Sequence, residues 1–358
     1  MRVWLVMILC AGLVLSNVGT ACAAVPEEQG LTLQQAIDKA VAYNPALRAK
    51  ALSIDQAEYN REAAAAAVTF TPTGQTDPDT EKKFLNLVQK DLNWQAAKKD
   101  YAAQKDSVVI QVYKAYFGVL QAQAALESAQ KSLDYAGWQK RGAVLKHQFG
   151  AASAWEVEQQ ADAYEAARAE LAAATQSLDN AYQKFEQLLG LSAGSRPQLT
   201  EQPSFVPLEV TSLDAAVSRV LEESPSVWKS KQAITQAQIA LDIYSFGPAE
   251  ANTYKATEQG VAIAENNLNT VKDEQAQAVR SLYYSIKQVE SNYQSLAEKL
   301  RLAERNLNLT RLKLANGTAS RAEAAKAEAE AAQARTALLD ATCQHLVLVR
   351  QFLTPWAA

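Results

Sequence analysis

The sequence is poor in residues that interrupt helices and in residues that build metal or disulfide sites. Its 358 residues include 13 glycines, 10 prolines, 3 cysteines and 2 histidines. The prolines leave two uninterrupted spans, 79–196 and 249–354, in which nothing removes a backbone N–H donor or clashes with a preceding helical turn. Because Ala, Gln, Glu, Leu and Lys dominate these spans, the composition predicts long helices.

The other absences exclude most catalytic and nucleic-acid-binding classes. Cys343 is the one cysteine beyond residue 24, and His147 and His345 stand far apart without ligand spacing, so we expect no disulfide, metal or cofactor. The sequence has no phosphate-binding loop and no nucleophile elbow, and we expect no enzyme activity. The formal charge of −4 is spread along the chain rather than gathered in blocks, which is not typical of a nucleic-acid-binding surface.

Long apolar runs are confined to the N-terminus. Arg2 precedes an apolar stretch at 3–15, and Ala21-Cys22-Ala23 follows as a cleavage site, so residues 1–24 are predicted to be a signal peptide. Lipidation at Cys22 is the alternative, although Gly19 stands where such a site prefers Leu or Val. Beyond residue 24 no apolar run approaches the roughly 20 residues that a membrane-spanning helix needs. We therefore expect an exported protein of the cell envelope, periplasmic or associated with the outer membrane.

Two segments, 149–156 and 316–323, predict tight reversals between helices. Each contains a glycine suited to the left-handed conformation that closes a helix, followed three residues later by the Ser-x-x-Glu spacing of a capping box. The residues are Gly150, Ser153 and Glu156 in the first segment and Gly317, Ser320 and Glu323 in the second. Because one constant offset relates all three pairs, the chain is predicted to contain two copies of one helical hairpin.

The proline-free spans carry apolar residues three and four positions apart, as in coiled coils. They predict outgoing helices at 81–149 and 262–315, and returning helices at 153–189 and 320–353. Short lead-in helices begin at Thr32-Leu33 and Asn44-Pro45, and again at Ser212-Leu213 and Ser224-Pro225. The predicted fold is all-α, with long antiparallel coiled-coil hairpins in two internal repeats. The repeats are predicted at 25–191 and 212–358, with a linker at 192–211 that holds one short strand.

Together these motifs resemble the TolC family of outer-membrane efflux proteins. The resemblance rests on the order and duplication of the opening at 31–36, Asn44-Pro45, the two Gly-x-x-Ser tips and Leu188-Leu189-Gly190-Leu191. It implies a homotrimer whose helices enclose a long periplasmic duct, an α-barrel, and whose tips bind a membrane-fusion adaptor attached to an inner-membrane transporter. Family members also insert a β-hairpin before each long helix. The segments 68–80 and 245–254 are each too short for two strands of about 9 to 11 residues and the turn between them, so we expect little or no β-barrel.

The hairpin tips are the candidate functional site. Trp155, beside the first turn, has little core to enter and is predicted to anchor a partner, whereas its counterpart in the second copy is Ala322. Two functions remain open. One is a duct of a tripartite efflux or secretion system that docks through its tips. The other is a structural extracytoplasmic coiled-coil spacer or tether with no transport role, in which the tips are plain turns.

Overall fold

The computed structural model describes residues 30–69, 71–72, 77–244 and 251–357, apart from the side chains of 251 and 252. The predicted signal peptide and parts of the short segments at 68–80 and 245–254 lie outside these ranges. Within them the chain is helical almost throughout. Its elements are α1 (Leu33–Tyr43), α2 (Pro45–Ala66), α3 (Pro78–Gln148), α4 (Ala154–Leu189), α5 (Leu213–Glu223), α6 (Pro225–Asp242), α7 (Ala251–Ala315), α8 (Arg321–Leu353) and a 3-10 turn (Pro355–Ala357).

The lead-in helices begin at local caps. The Thr32 hydroxyl accepts a hydrogen bond from the Gln35 N–H at 3.3 Å, and the Gln35 side chain accepts one from the Thr32 N–H at 3.0 Å, which completes a capping box. Asn44 caps α2 and Ser212 caps α5 with their side-chain oxygens. Ser224 differs, because its hydroxyl contacts the Ser226 hydroxyl at 2.8 Å and makes no cap hydrogen bond. At that position the proline that follows provides the helical φ angle.

The long helices follow the predicted bounds, with one substantial difference. α7 begins at Ala251, well before the predicted start at 262. The prediction placed the start at the first residues of the apolar seam and was too late. Since the span from 249 to 354 contains no proline, the helix continues through the polar residues that precede the seam. α3 begins at Pro78, where Asp77 caps two N–H groups of the first turn at 3.0 Å each.

The helices form four columns side by side. α3 packs against α2 and α4 on one side and against α6 and α8 on the other, and α7 packs outside α6 and α8. α2 and α4 lie one after the other along α3, as their summed lengths predicted. The pairs that join the columns include Arg61–Asp91 at 2.6 Å (α2 to α3), Gln123–Tyr182 at 2.8 Å (α3 to α4), Gln121–Asp340 at 2.9 Å (α3 to α8) and Glu304–Arg335 at 2.8 Å (α7 to α8).

The main core lies where α1, α3, α4 and α8 meet. Tyr116 and Phe185 are fully buried there, with their ring centroids 5.9 Å apart and their planes nearly perpendicular. A second cluster contains Val279, Ile286 and Phe352 from α7 and α8. Within the described ranges, none of the helices combines the length and apolarity needed to cross a membrane.

The linker between the repeats crosses the columns at the level of the core. The short strand predicted in the linker is not formed; within the described residues the segment makes an isolated parallel bridge between Leu199 and Leu31. Side chains fix the segment instead: Glu186 accepts hydrogen bonds from the Gly194 and Arg196 N–H groups at 2.8 Å each, and the Tyr116 hydroxyl accepts one from the Glu201 N–H at 3.1 Å. Side chains thus satisfy these three N–H groups, while the backbone of Leu31 pairs with Gln198 and Thr200 at 2.7 and 3.3 Å.

Candidate docking surface at the hairpin tips

Both hairpins turn through the same backbone motif. Gly150 and Gly317 each have a φ angle of 71°, in the left-handed region that the glycine prediction required. In each turn two N–H groups donate to carbonyls of the last helical turn, the pattern of a Schellman motif. The bonds are Ala151 to Lys146 at 2.7 Å and Gly150 to His147 at 2.9 Å, and then Thr318 to Lys313 at 2.8 Å and Gly317 to Leu314 at 3.0 Å.

The helices that leave the two turns start differently. The Ser320 hydroxyl accepts a hydrogen bond from the Glu323 N–H at 3.2 Å, and the Ser320 N–H donates to the Glu323 carboxylate at 2.7 Å. The Ser320 N–H, together with the Ser320 hydroxyl that donates to the same carboxylate at 2.9 Å, holds the pKa of Glu323 below its usual range. At the first tip the Ser153 hydroxyl accepts from the Glu156 N–H at 3.2 Å, and no return bond from Glu156 is found among the described contacts. The predicted capping box is thus complete at the second tip and half formed at the first.

A histidine closes the first turn on its other side. The Nδ1 atom of His147 lies 2.9 Å from the carbonyl oxygen of Ala152, and since a carbonyl only accepts, this nitrogen carries the proton. The second turn uses the Thr318 hydroxyl, which donates to the Lys313 carbonyl at 3.1 Å. The two tips therefore share a backbone but have different side chains around it.

The first tip exposes two large aromatic side chains. Trp155 is 68% exposed and Phe149 is 84% exposed, and Leu145 continues the apolar surface along α3. Phe149 was not identified from the sequence, although its place directly before the turn glycine and beyond the last seam position could have indicated it. Asn316 and Ala322 occupy the matching positions of the second tip, so that tip has no aromatic residue at its apex.

The first tip also projects beyond the second. The Thr336 hydroxyl donates to the Ala124 carbonyl at 3.2 Å, which fixes the register of α8 on α3. At about 1.5 Å per residue, the part of α8 from Arg321 to Thr336 is roughly 22 Å long, and the part of α3 from Ala124 to Gln148 is roughly 36 Å long. The end of α3 therefore lies roughly 14 Å past the level at which α8 begins. The aromatic pair lies at the more advanced of the two ends.

Basic side chains and a third aromatic ring lie just behind this end. The guanidinium carbons of Arg141 and Arg321 lie 4.8 Å and 5.6 Å from the ring centre of Trp138, so this indole joins the first hairpin to the start of α8. A shallow groove beside it is lined by Gly137, Lys140, Arg141, Val144, Leu145 and Tyr164. Trp138 was not identified from the sequence. The surface is suited to recognition of a partner with apolar and acidic groups.

The described residues contain no group of His, Cys, Asp and Glu side chains that could hold a metal ion. The seven residues predicted for the tips thus fall into two separate sets. Gly150, Ser153, Trp155 and Glu156 surround the projecting tip, and Gly317, Ser320 and Glu323 surround the recessed one.

Comparison with known proteins identifies relatives of this architecture. Residues 207–349 match the family described as outer membrane efflux protein, which covers the end of the linker and most of the second repeat. No curated protein matches the chain.

Several solved structures have the same fold. CusC, whose structures are described in connection with transmembrane channel formation, shares 16% identity at a TM-score of 0.65, covering 91% of this chain and 92% of that one. The Campylobacter jejuni outer membrane channel CmeC shares 13% at a TM-score of 0.68, covering 91% and 85%. The Vibrio cholerae outer membrane protein VceC shares 14% at a TM-score of 0.62, covering 91% and 95%. These matches confirm the predicted resemblance and the predicted helical hairpin fold.

Proposed function

We propose that this chain, a TolC-like efflux protein by its fold and by the family match of its second repeat, forms a helical duct that docks to a membrane-fusion adaptor through its hairpin tips. The docking proposal is supported by the first tip, because Trp155 and Phe149 lie exposed at the end that projects furthest. Exposed aromatic residues at the centre of a small surface are typical anchors of protein interfaces.

The duct itself requires more than one copy of the chain. Four columns in a row do not enclose a lumen, and within the described residues α7 makes no extended contact with α2 or α4. The two outer columns expose large apolar side chains, which favours their burial against neighbouring copies. They include Leu52 and Tyr59 on α2 and Ile263, Tyr284 and Leu302 on α7. We propose a homotrimer in which α7 of one copy packs against the α2–α4 column of the next.

The proposed place of the duct is the cell envelope, with the adaptor linking it to an inner-membrane transporter. The predicted signal peptide supports export. A structural spacer would account for the long seams, but it gives no reason for two aromatic residues to lie exposed at one tip and not at the other. The duct is therefore the better explanation of the tip surface.

The first test combines oligomeric state with transport. Sedimentation of the protein is expected to show a trimer, and cells that lack the gene are expected to accumulate one or more fluorescent dyes, from a panel of differing charge, that wild-type cells expel. Tyr59→Glu, which places a charge on the proposed contact between copies, should dissociate the trimer and abolish dye expulsion.

The second test is capture of a membrane-fusion adaptor from the same organism by the purified protein. Trp155→Ala should weaken capture while leaving the trimer intact. A stable monomer, unchanged dye accumulation in the deletion strain and no adaptor capture would together establish the spacer instead.

A further inference from the structure

A segment of the linker, residues 203–210, is fastened to α7 and α8 by a partly buried polar cluster that the proposed duct function does not use. Its centre is His345 on α8, which is 1% exposed, together with Glu290 and Lys287 on α7. We call this group, with Phe205 of the linker, the clasp. It lies far from the hairpin tips.

Glu290 connects the linker backbone to Lys287 and His345. Its Oε1 accepts from the Leu208 N–H at 2.7 Å and contacts His345 Nε2 at 3.2 Å. Its Oε2 accepts from Lys287 Nζ at 2.7 Å, and the same ammonium donates to the Leu208 carbonyl at 2.9 Å. Burial acts to raise the pKa of Glu290, but the hydrogen bonds from Lys287, the Leu208 N–H and His345 hold it below its usual range. Both backbone groups of Leu208 are thereby tied to α7.

Phe205 covers the cluster from the linker side. Its ring stacks on Tyr293 with centroids 3.7 Å apart and lies 4.7 Å from the ring centre of His345. The ring of His345 therefore lies between Glu290 and a hydrophobic cover, out of reach of solvent.

The hydrogen-bond geometry assigns the tautomer of His345. A carboxylate only accepts, so Nε2 must carry the proton that it shares with Glu290. The other nitrogen, Nδ1, is then an unprotonated acceptor, and it is buried with no partner among the described residues. Protonation of the ring would place an N–H donor at this atom with nothing to accept its hydrogen bond.

The first repeat shows that the helix packing does not need this cluster. At the offset that relates Gly150 to Gly317, Gln123 stands where Glu290 is and Leu178 stands where His345 is. Gln123 there donates to the Tyr182 hydroxyl at 2.8 Å. Since a neutral amide and an aliphatic side chain occupy the matching positions, the acid and the buried histidine are a feature of the second repeat alone.

We propose that the clasp is sensitive to protons, and that protonation of His345 releases the linker segment 203–210 from the α7–α8 hairpin. Imidazole is the side chain that ordinarily changes charge between about pH 5 and 8. Glu290 is shared with Lys287, so it compensates a second cation only in part, and the new N–H at Nδ1 would be buried without an acceptor, which is costly. Movement of Phe205 admits water to Nδ1 and removes that cost.

The other ionisable groups near the clasp do not offer Nδ1 an acceptor. Glu209, the ionisable residue of segment 203–210, is exposed. On α8 itself, Asp340 accepts from Gln121 of α3, and Cys343 is packed into the core with α3. α7 contributes Glu290 and Lys287, which are already bonded to each other.

The test uses the full chain labelled with ¹³C-histidine, because its two histidines give two separable NMR signals. His147 is exposed at the tip and serves as the internal reference for titration. At about pH 8, His345 is expected in its Nε2–H form. Release of the linker segment is then measured by hydrogen exchange of the Leu208 N–H, which donates to Glu290 in the intact clasp. The clasp is complete while the His345 ring is neutral and is lost as the ring gains its second proton, so protection falls as the pH is lowered. Because release takes up one proton, protection relative to the intrinsic exchange rate is expected to fall by about tenfold per pH unit in the range where release occurs.

Two variants keep the proposal open to refutation. The double variant Glu290→Gln, His345→Leu places here the Gln and Leu that the first repeat has at the matching positions. His345→Gln keeps a donor toward Glu290 but cannot be protonated. Both are expected to lose the pH dependence of protection. The Arg196 amide, which Glu186 holds, should keep its protection over the same range and controls for general loosening. Protection at Leu208 that stays constant or rises on acidification, or that falls equally in His345→Gln, would overturn the proposal.

Discussion

The aromatic tip makes the sharpest quantitative prediction, because its contributions to folding and to docking can be separated. We consider Phe149→Ala and Trp155→Ala, which remove the two exposed rings without touching the turn glycine. Phe149 is 84% exposed, so of roughly 200 Å² of side-chain surface only about 30 Å² is buried in the free chain. At about 25 cal/mol per Å² this corresponds to less than ~1 kcal/mol of folding free energy.

The same arithmetic gives a large effect on docking. If a partner covers the ring, about 170 Å² more leaves water, which is worth roughly 4 kcal/mol before the cost of ordering the interface is subtracted. Aromatic anchors of interfaces typically lose about 2 kcal/mol or more on truncation to alanine. We therefore expect each substitution to weaken adaptor binding by about 30-fold or more, since about 1.4 kcal/mol is tenfold.

The assay is titration of the adaptor against the purified protein, alongside far-ultraviolet circular dichroism and sedimentation of each variant. Val206→Ala is the matched control, because Val206 is also largely exposed but lies on the linker, far from the tips. It should leave adaptor binding unchanged. Adaptor affinity that both tip variants retain, with helicity and trimer content unchanged, would refute the anchoring role and leave the tips as plain turns.

Three further tests, two of them with a matched control substitution, examine the local structure by thermal unfolding. Gly317→Ala places a Cβ at a φ angle of 71° and should destabilise the hairpin by about 1 kcal/mol. Gly142→Ala, within α3 and with open space around it, is the control and should stabilise the protein by about 0.5 to 1 kcal/mol. Equal effects of the two substitutions would contradict the turn assignment. Tyr116→Phe removes the hydroxyl that accepts from the Glu201 N–H and should lower the free energy of unfolding by about 1 to 3 kcal/mol. Tyr283 is its counterpart in the second repeat, and its hydroxyl makes no hydrogen bond among the described residues. Tyr283→Phe should therefore change the stability little. Glu323→Gln should destabilise the protein at neutral pH and lose this effect in acid. Because the pKa of Glu323 is lowered in the folded state, the stabilisation by its carboxylate is present above the unfolded-state pKa and disappears as the pH falls through the folded-state pKa. A destabilisation that persists at pH 2 would count against the capping role.

Local features allowed much of the fold to be predicted. The turn glycines, the serine caps and the apolar spacing each act within four residues along the chain, so the sequence contains all that determines them. The late predicted start of α7 has the same origin, because an apolar seam indicates where a helix packs and not where it begins. The half-formed capping box at Ser153 shows the limit of such patterns: the spacing permits a return bond from Glu156 and does not require it.

The sequence by itself determined the two-repeat helical hairpin architecture, the position of both turns and the presence of an aromatic residue beside only one of them. The tertiary structure alone decided how the hairpins sit against each other. The projection of the first tip depends on which residues of α3 and α8 face one another, such as Ala124 and Thr336, which are 212 residues apart. The clasp likewise joins Leu208 to Glu290, 82 residues further along the chain. Periodicity specifies which face of a helix is apolar, but a seam of similar small and aliphatic residues fits its neighbour in several registers. The register is set by the particular side chains that meet across it.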